Sequence, residues 1–196
     1  SILFLMAGAI VCFVLPKKAA RILSLLLMLV TAAMSAALLV YTCRSGESFV
    51  YMMGHFPSPW GNELRAGVLE ALLALLFCTV MFLSVLGGLT HILEDVDEQN
   101  QSLYFVMLDM LLASLLALDY TNDLFTAYVF VEINTLTACA IVMLKRGGRT
   151  LVATMQYMVM SAVGSGLFLM GIALMYAMTG HLLMAPLHEA MGRLMQ

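Results

Sequence analysis

The chain has 196 residues, of which 63% are hydrophobic and 11% charged, with a mean hydropathy of +0.99 and a net charge of −3. A soluble domain is about 45–50% apolar and about 25% charged, so this chain cannot hide its apolar surface by folding in water, and the lipid bilayer is its expected solvent. The negative balance and the lack of a basic block exclude nucleic acid as a partner.

A helix that crosses the hydrocarbon core needs roughly 20 apolar residues, because a rise of about 1.5 Å per residue must cover about 30 Å. Six stretches approach this length: 2–15, 22–41, 66–92, 103–118, 124–144 and 151–178. The runs are continuous and rich in Leu, Met and Ala, without the alternation of a strand. The expected architecture is an all-α, polytopic membrane helix bundle with about six transmembrane helices, forming a single domain over 1–196. The first stretch is short and stops at Pro16-Lys17-Lys18. It begins at Ser1 without an initiator Met, and there is no basic region or cleavage site of a signal peptide before a soluble domain, so the start reads as a trimmed terminus.

The connections carry the punctuation. Segment 42–63 contains Gly46, Gly54, Pro57, Pro59 and Gly61 and is expected to form an extramembrane hairpin loop. Glu94 to Glu98 is an acidic loop, Asp119 to Asp123 a tight turn, and Lys145 to Arg149 a basic one. After Thr179-Gly180 an amphipathic stretch runs to Gln196, either along the membrane surface or into a further span. The loops after the first, third and fifth helices hold six of the nine Lys and Arg residues. The positive-inside rule therefore assigns those loops to the cytoplasm and the N-terminus to the outside of a cell membrane.

A charge inside the hydrocarbon core costs roughly 3 kcal/mol on insertion scales, so it faces a partner, a cavity or an ion path. Glu132 stands about 12 Å from the start of the fifth helix by helical rise, near mid-membrane. Tyr128, Thr135 and Cys139 share its face, and Asn134 and Thr137 lie on the opposite side. Such a helix belongs inside a protein bundle, with Glu132 as a proton or ion relay group; a buried Glu with a fixed partner is the purely structural account. Asp109, two turns into the fourth helix, is the second candidate, for which a functional role and a structural one, a shallow position hydrated from the cytoplasmic side, weigh evenly. Glu70 lies one turn into the third helix beside Arg65, where snorkelling or local pairing accounts for it. Gly164, Gly166 and Gly171 of the sixth helix read as a packing seam.

Other chemistries lack their residues. Cys12, Cys43, Cys78 and Cys139 are isolated, and His55, His91, His181 and His188 fall in loops, at a helix end or in the tail. Neither set has metal or haem spacing. No Lys lies within a helix for a Schiff base, and no phosphate loop or nucleophile elbow occurs. The sequence thus calls for no cofactor and no metal.

Three segments carry a resemblance to a known family. Gly54-His55-Phe56-Pro57-Ser58-Pro59-Trp60-Gly61 resembles a Gly-x-x-x-x-Pro-aromatic-Gly hairpin. Asp123-Leu124-Phe125-Thr126-Ala127-Tyr128-Val129-Phe130-Val131-Glu132 resembles an Asp-Leu-Phe-x-x-aromatic-Val-Phe-x-Glu segment, the most specific of the three. Tyr157, Gly171-Ile172-Ala173, Tyr176 and Thr179-Gly180-His181-Leu182-Leu183-Met184 resemble a sixth helix and its exit. The family is that of the antiporter-like subunits shared by Mrp cation/proton antiporters, respiratory complex I and membrane-bound hydrogenases, with the D-type Mrp protein as the most similar pattern. The resemblance implies a discontinuous-helix fold of about fourteen helices, of which this chain holds the front six. It implies a proton- or cation-translocating subunit, with H+ and Na+ as candidate ions and other antiporter-like and small membrane subunits as partners. Glu132 would pair with a Lys on a seventh helix beyond Gln196. Gln156 stands where relatives usually have Lys, and Gly67 where an Asp is usual. A rival reading follows from these departures: a non-transporting membrane scaffold subunit that anchors an oxidoreductase module.

Overall fold

The computed structural model describes residues 1–46, 48–52, 63–145 and 148–194. The hairpin tip with Pro57, Pro59 and Trp60, and Arg146-Gly147 of the basic turn, lie outside the described residues. In chain order the elements are α1 (Ile2–Val14), α2 (Lys17–Ser45), β1 (Phe49–Met52), β2 (Glu63–Ala66), α3 (Val68–Asp95), α4 (Gln101–Tyr120), α5 (Leu124–Met143), α6 (Gly148–Thr179) and α7 (Met184–Leu194). A single 3-10 turn, Glu98–Asn100, leads into α4.

Five of these helices are long and apolar enough to cross a membrane. At 13 residues α1 is shorter, spanning about 20 Å, because Pro16 forces Leu15 into an extended conformation and ends it. The next helix starts at once, with Pro16 as its N-cap. It therefore begins at Lys17, ahead of the apolar run itself, with a basic first turn.

The core is built around α4, which buries Phe105, Leu108, Leu112, Leu116 and Tyr120 and packs against α1, α2, α3 and α5. Gly8 on α1 lets that helix close onto α2, since a Cβ there would collide with the Leu27 side chain. By contrast α6 packs chiefly on α5 and leaves Val159, Met160, Val163, Leu167 and Met170 exposed. A Cβ at Gly164, Gly166 or Gly171 would meet nothing within 4 Å, so the seam expected on α6 has no partner among the described residues.

The helices run up and down, which sorts the connections to two ends. At one end Lys17 pairs with Glu98 at 3.3 Å and Lys145 with Asp95 at 2.9 Å, and Val96 bridges Lys145. The loops after α1, α3 and α5 therefore meet there. At the other end β1 and β2 pair antiparallel, Phe49 opposite Ala66 and Met52 opposite Glu63. Leu64 of β2 bridges Thr121, and Asp123 bridges Leu183.

Candidate functional site

Glu132 is placed by the start of its helix. Asp123 caps α5, its Oδ1 accepting from Phe125 N–H at 3.1 Å and its Oδ2 from the Thr126 hydroxyl at 2.8 Å, as an aspartate does at an N-cap. Nine residues after Asp123, Glu132 is half-buried. Its carboxylate makes no hydrogen bond or ion pair with any described residue; the Thr135 hydroxyl bonds to its backbone carbonyl at 2.9 Å. The side chain lines a cavity of about 220 Å³ between α5 and α6, together with Thr135, Cys139, Met158 and Ser161. Cys139 also lines a second cavity of about 320 Å³, with Ala138, Thr154 and Tyr157, so the two adjoin along the α5–α6 groove. The opposite face of α5 meets α4, where the Ser114 hydroxyl donates to Asn134 Oδ1 at 3.4 Å. One polar face of α5 is thus consumed in packing, and the face with Glu132 opens into a groove.

Asp109 departs from its expected position. Rather than being hydrated from one end of the membrane, it is 0% exposed. It is enclosed by α1 and α2, where Oδ1 accepts from the Ser24 hydroxyl at 2.7 Å and the Cys12 thiol lies beside it. The reason is rotational: its turn of α4 faces α1 and α2, whereas Ser114, five residues on, faces α5. The structure does not bring Glu132 and Asp109 into contact. Glu70 has a local role, its Oε2 accepting from Gly67 N–H at 2.9 Å, which satisfies one free donor at the start of α3. No ion pair joins it to Arg65 among the described residues.

Sequence reasoning missed Asn122. This residue is 8% exposed and ties three segments together. Its N–H donates to the Glu63 carbonyl at 2.9 Å, and its carbonyl accepts from Met184 N–H at 2.9 Å. Its amide Nδ2 donates to Glu63 Oε1 at 3.1 Å, and the adjoining Leu124 N–H reaches the Leu182 carbonyl at 3.1 Å. A polar cavity of about 440 Å³ lies beside this knot, lined by Arg65, Glu70, Asp119 and Asn122 among others. The only sequence signal was an Asn-Asp pair in a turn, too common to single out.

These features define a class: a polytopic membrane helix bundle in which one helix presents a carboxylate, unpaired among the described residues, to an open interhelical groove. Residues 121–196 match the family described as NADH:quinone oxidoreductase/Mrp antiporter, TM. The chain is 33% identical over 169 residues to NADH-quinone oxidoreductase subunit N of Desulforudis audaxviator (strain MP104C), covering 85% of this chain and 33% of that protein. It is 30% identical over 152 residues to the D-type subunit of the Na(+)/H(+) antiporter of Bacillus subtilis (strain 168), covering 78% of this chain and 30% of that one. Among solved structures, a chain of the membrane-bound sulfane sulfur reductase, an archaeal respiratory membrane complex, superposes with a TM-score of 0.85 at 27% identity, over 95% of this chain and 38% of its own. A chain of the Mrp complex from Dietzia sp. DQ12-45-1b gives 0.81 at 17% identity, over 93% and 35%, a likeness of fold alone. The protein belongs to the antiporter-like membrane subunits found in Mrp antiporters and respiratory complex I, and it is a multi-pass protein of the cell membrane. It spans about a third of the length of the curated relatives it matches.

Proposed function

We propose that this chain is the front part of a proton- or cation-translocating subunit in a multi-subunit membrane complex, with Glu132 as its relay carboxylate. The observation that carries this reading is the Glu132 carboxylate, unpaired among the described residues, near the middle of α5 and at the edge of the α5–α6 groove. A carboxylate left without a cation in a low-dielectric setting is sensitive to any charge brought to that groove. A lysine delivered from outside this segment favours the ionised form, and its withdrawal favours uptake of a proton. Alternation between these states moves a proton or exchanges it for a cation such as Na+. Asp109 enters the proposal as a second intramembrane proton-binding carboxylate. The end with Lys17, Lys18, Arg21 and Lys145 is assigned to the cytoplasm, and sibling membrane subunits are the partners.

The test is Glu132→Gln in the intact complex, reconstituted in vesicles and assayed for gradient-driven Na+ exchange or redox-linked proton pumping. Transport is expected to fall at least about 100-fold, at the scale of losing a proton-transfer group, with the complex normally assembled. Unchanged transport sinks the relay and leaves the chain a scaffold for an oxidoreductase module.

A further inference from the structure

Asp109, Ser24 and Cys12 come from α4, α2 and α1, and each is 0% exposed. Asp109 Oδ1 accepts from Ser24 at 2.7 Å. Asp109 Oδ2 is shut away from solvent and has no hydrogen-bond partner among the described residues. The Cys12 thiol is directed to the Ala20 carbonyl at 3.7 Å. No described cation forms an ion pair with Asp109. Helix α1 carries no charged residue; on α2, Lys17 is engaged by Glu98, and Lys18 and Arg21 lie in the turns before Ser24. On α4 the other carboxylate is Asp119, ten residues further on; across the bundle α5 carries Glu132 and α3 carries Glu70. The cavities beside Glu132 and beside Asn122 do not include Asp109.

An ionised carboxylate so placed would be an uncompensated charge in an apolar interior, whose desolvation penalty one serine hydroxyl cannot offset. A metal cation does not resolve this, because a carboxylate, a hydroxyl and a thiol supply too few oxygens for a hard ion. We propose that Asp109, Ser24 and Cys12 form a closed proton-holding site between α1, α2 and α4, in which Asp109 remains a neutral carboxylic acid. Oδ1 accepts from Ser24 and Oδ2 carries the proton. The bound ligand is one proton, and its retention pins three helices without placing a charge among them. The assignment is independent of whether Glu132 relays protons.

The test compares Asp109→Asn and Asp109→Leu in the intact complex, with Glu132→Gln alongside. Asparagine has the shape of a neutral carboxylic acid, so Asp109→Asn is expected to assemble within about two-fold of the unsubstituted protein. Infrared spectra should lose a protonated carboxylic acid carbonyl band in Asp109→Asn, and that band should be insensitive to external pH. Asp109→Leu strands the Ser24 hydroxyl and should lower the assembled complex at least about ten-fold. Failed assembly of Asp109→Asn, or the absence of the band from the unsubstituted protein, overturns the proposal. Because assembly and the infrared band need no transport, a silent Glu132→Gln leaves this outcome readable.

Discussion

Asn122 shows how much a short polar side chain can hold when its backbone is also engaged. Its N–H, carbonyl and amide reach β2 and the start of α7, and the next residue caps the helix of Glu132. A buried hydrogen bond to a charged acceptor contributes about 1.5–3 kcal/mol. Asn122→Ala and Glu63→Ala are each expected to destabilise the folded protein by about 1–2 kcal/mol. Thermal unfolding of the double variant should reveal a coupling above about 0.5 kcal/mol; additive losses would show that the amide–carboxylate contact contributes nothing. Glu70 is a smaller case of the same logic. Its bond to Gly67 N–H makes it a helix-start residue, and Glu70→Ala should cost about 0.5–2 kcal/mol.

At the level of elements, α4 and α6 are opposites. Half of the apolar window of α4 is buried, against 11% of that of α6, although both are hydrophobic enough to span. Their hydropathies do not predict this difference, since lipid and protein interior are equally apolar partners. The close approach of α1 to α2 is a second element-level decision, taken at Gly8. Gly8→Val is expected to lower stability by about 1–3 kcal/mol through overpacking against Leu27. Combining it with Leu27→Ala should recover part of that loss in the same thermal assay; no recovery would mean that Gly8 matters for another reason.

For the whole molecule, the decisive feature is the division of connections between two ends. The pairs Lys17–Glu98 and Lys145–Asp95 close one end, yet their side chains are about half exposed or more. Exposed pairs contribute about 0–1 kcal/mol, so Lys17→Ala and Lys145→Ala should each shift stability by less than about 1 kcal/mol. Their value is as markers of sidedness. In a Cys43→Ser background, Glu98→Cys should react with a membrane-impermeant thiol reagent added from the cytoplasmic side, and Ser48→Cys from the opposite side. The reverse pattern would invert the assigned orientation.

The sequence alone determined the solvent, the class and the approximate spans, because hydrocarbon thickness and the exclusion of charge from it act on composition and run length. It also singled out Glu132 and Asp109 as the mid-helix carboxylates, and the segment from Asp123 to Glu132 carried the family. Rotation about each helix axis was beyond it. With apolar residues on every side, no amphipathic stripe reveals which face is inward, so the enclosure of Asp109 by Cys12 and Ser24, and the opening of Glu132 to the α5–α6 groove, were fixed only by helix packing. The same holds for Asn122, whose partners at Glu63 and Met184 are remote in sequence and meet only when the hairpin and the α6–α7 connection fold over one end of the bundle.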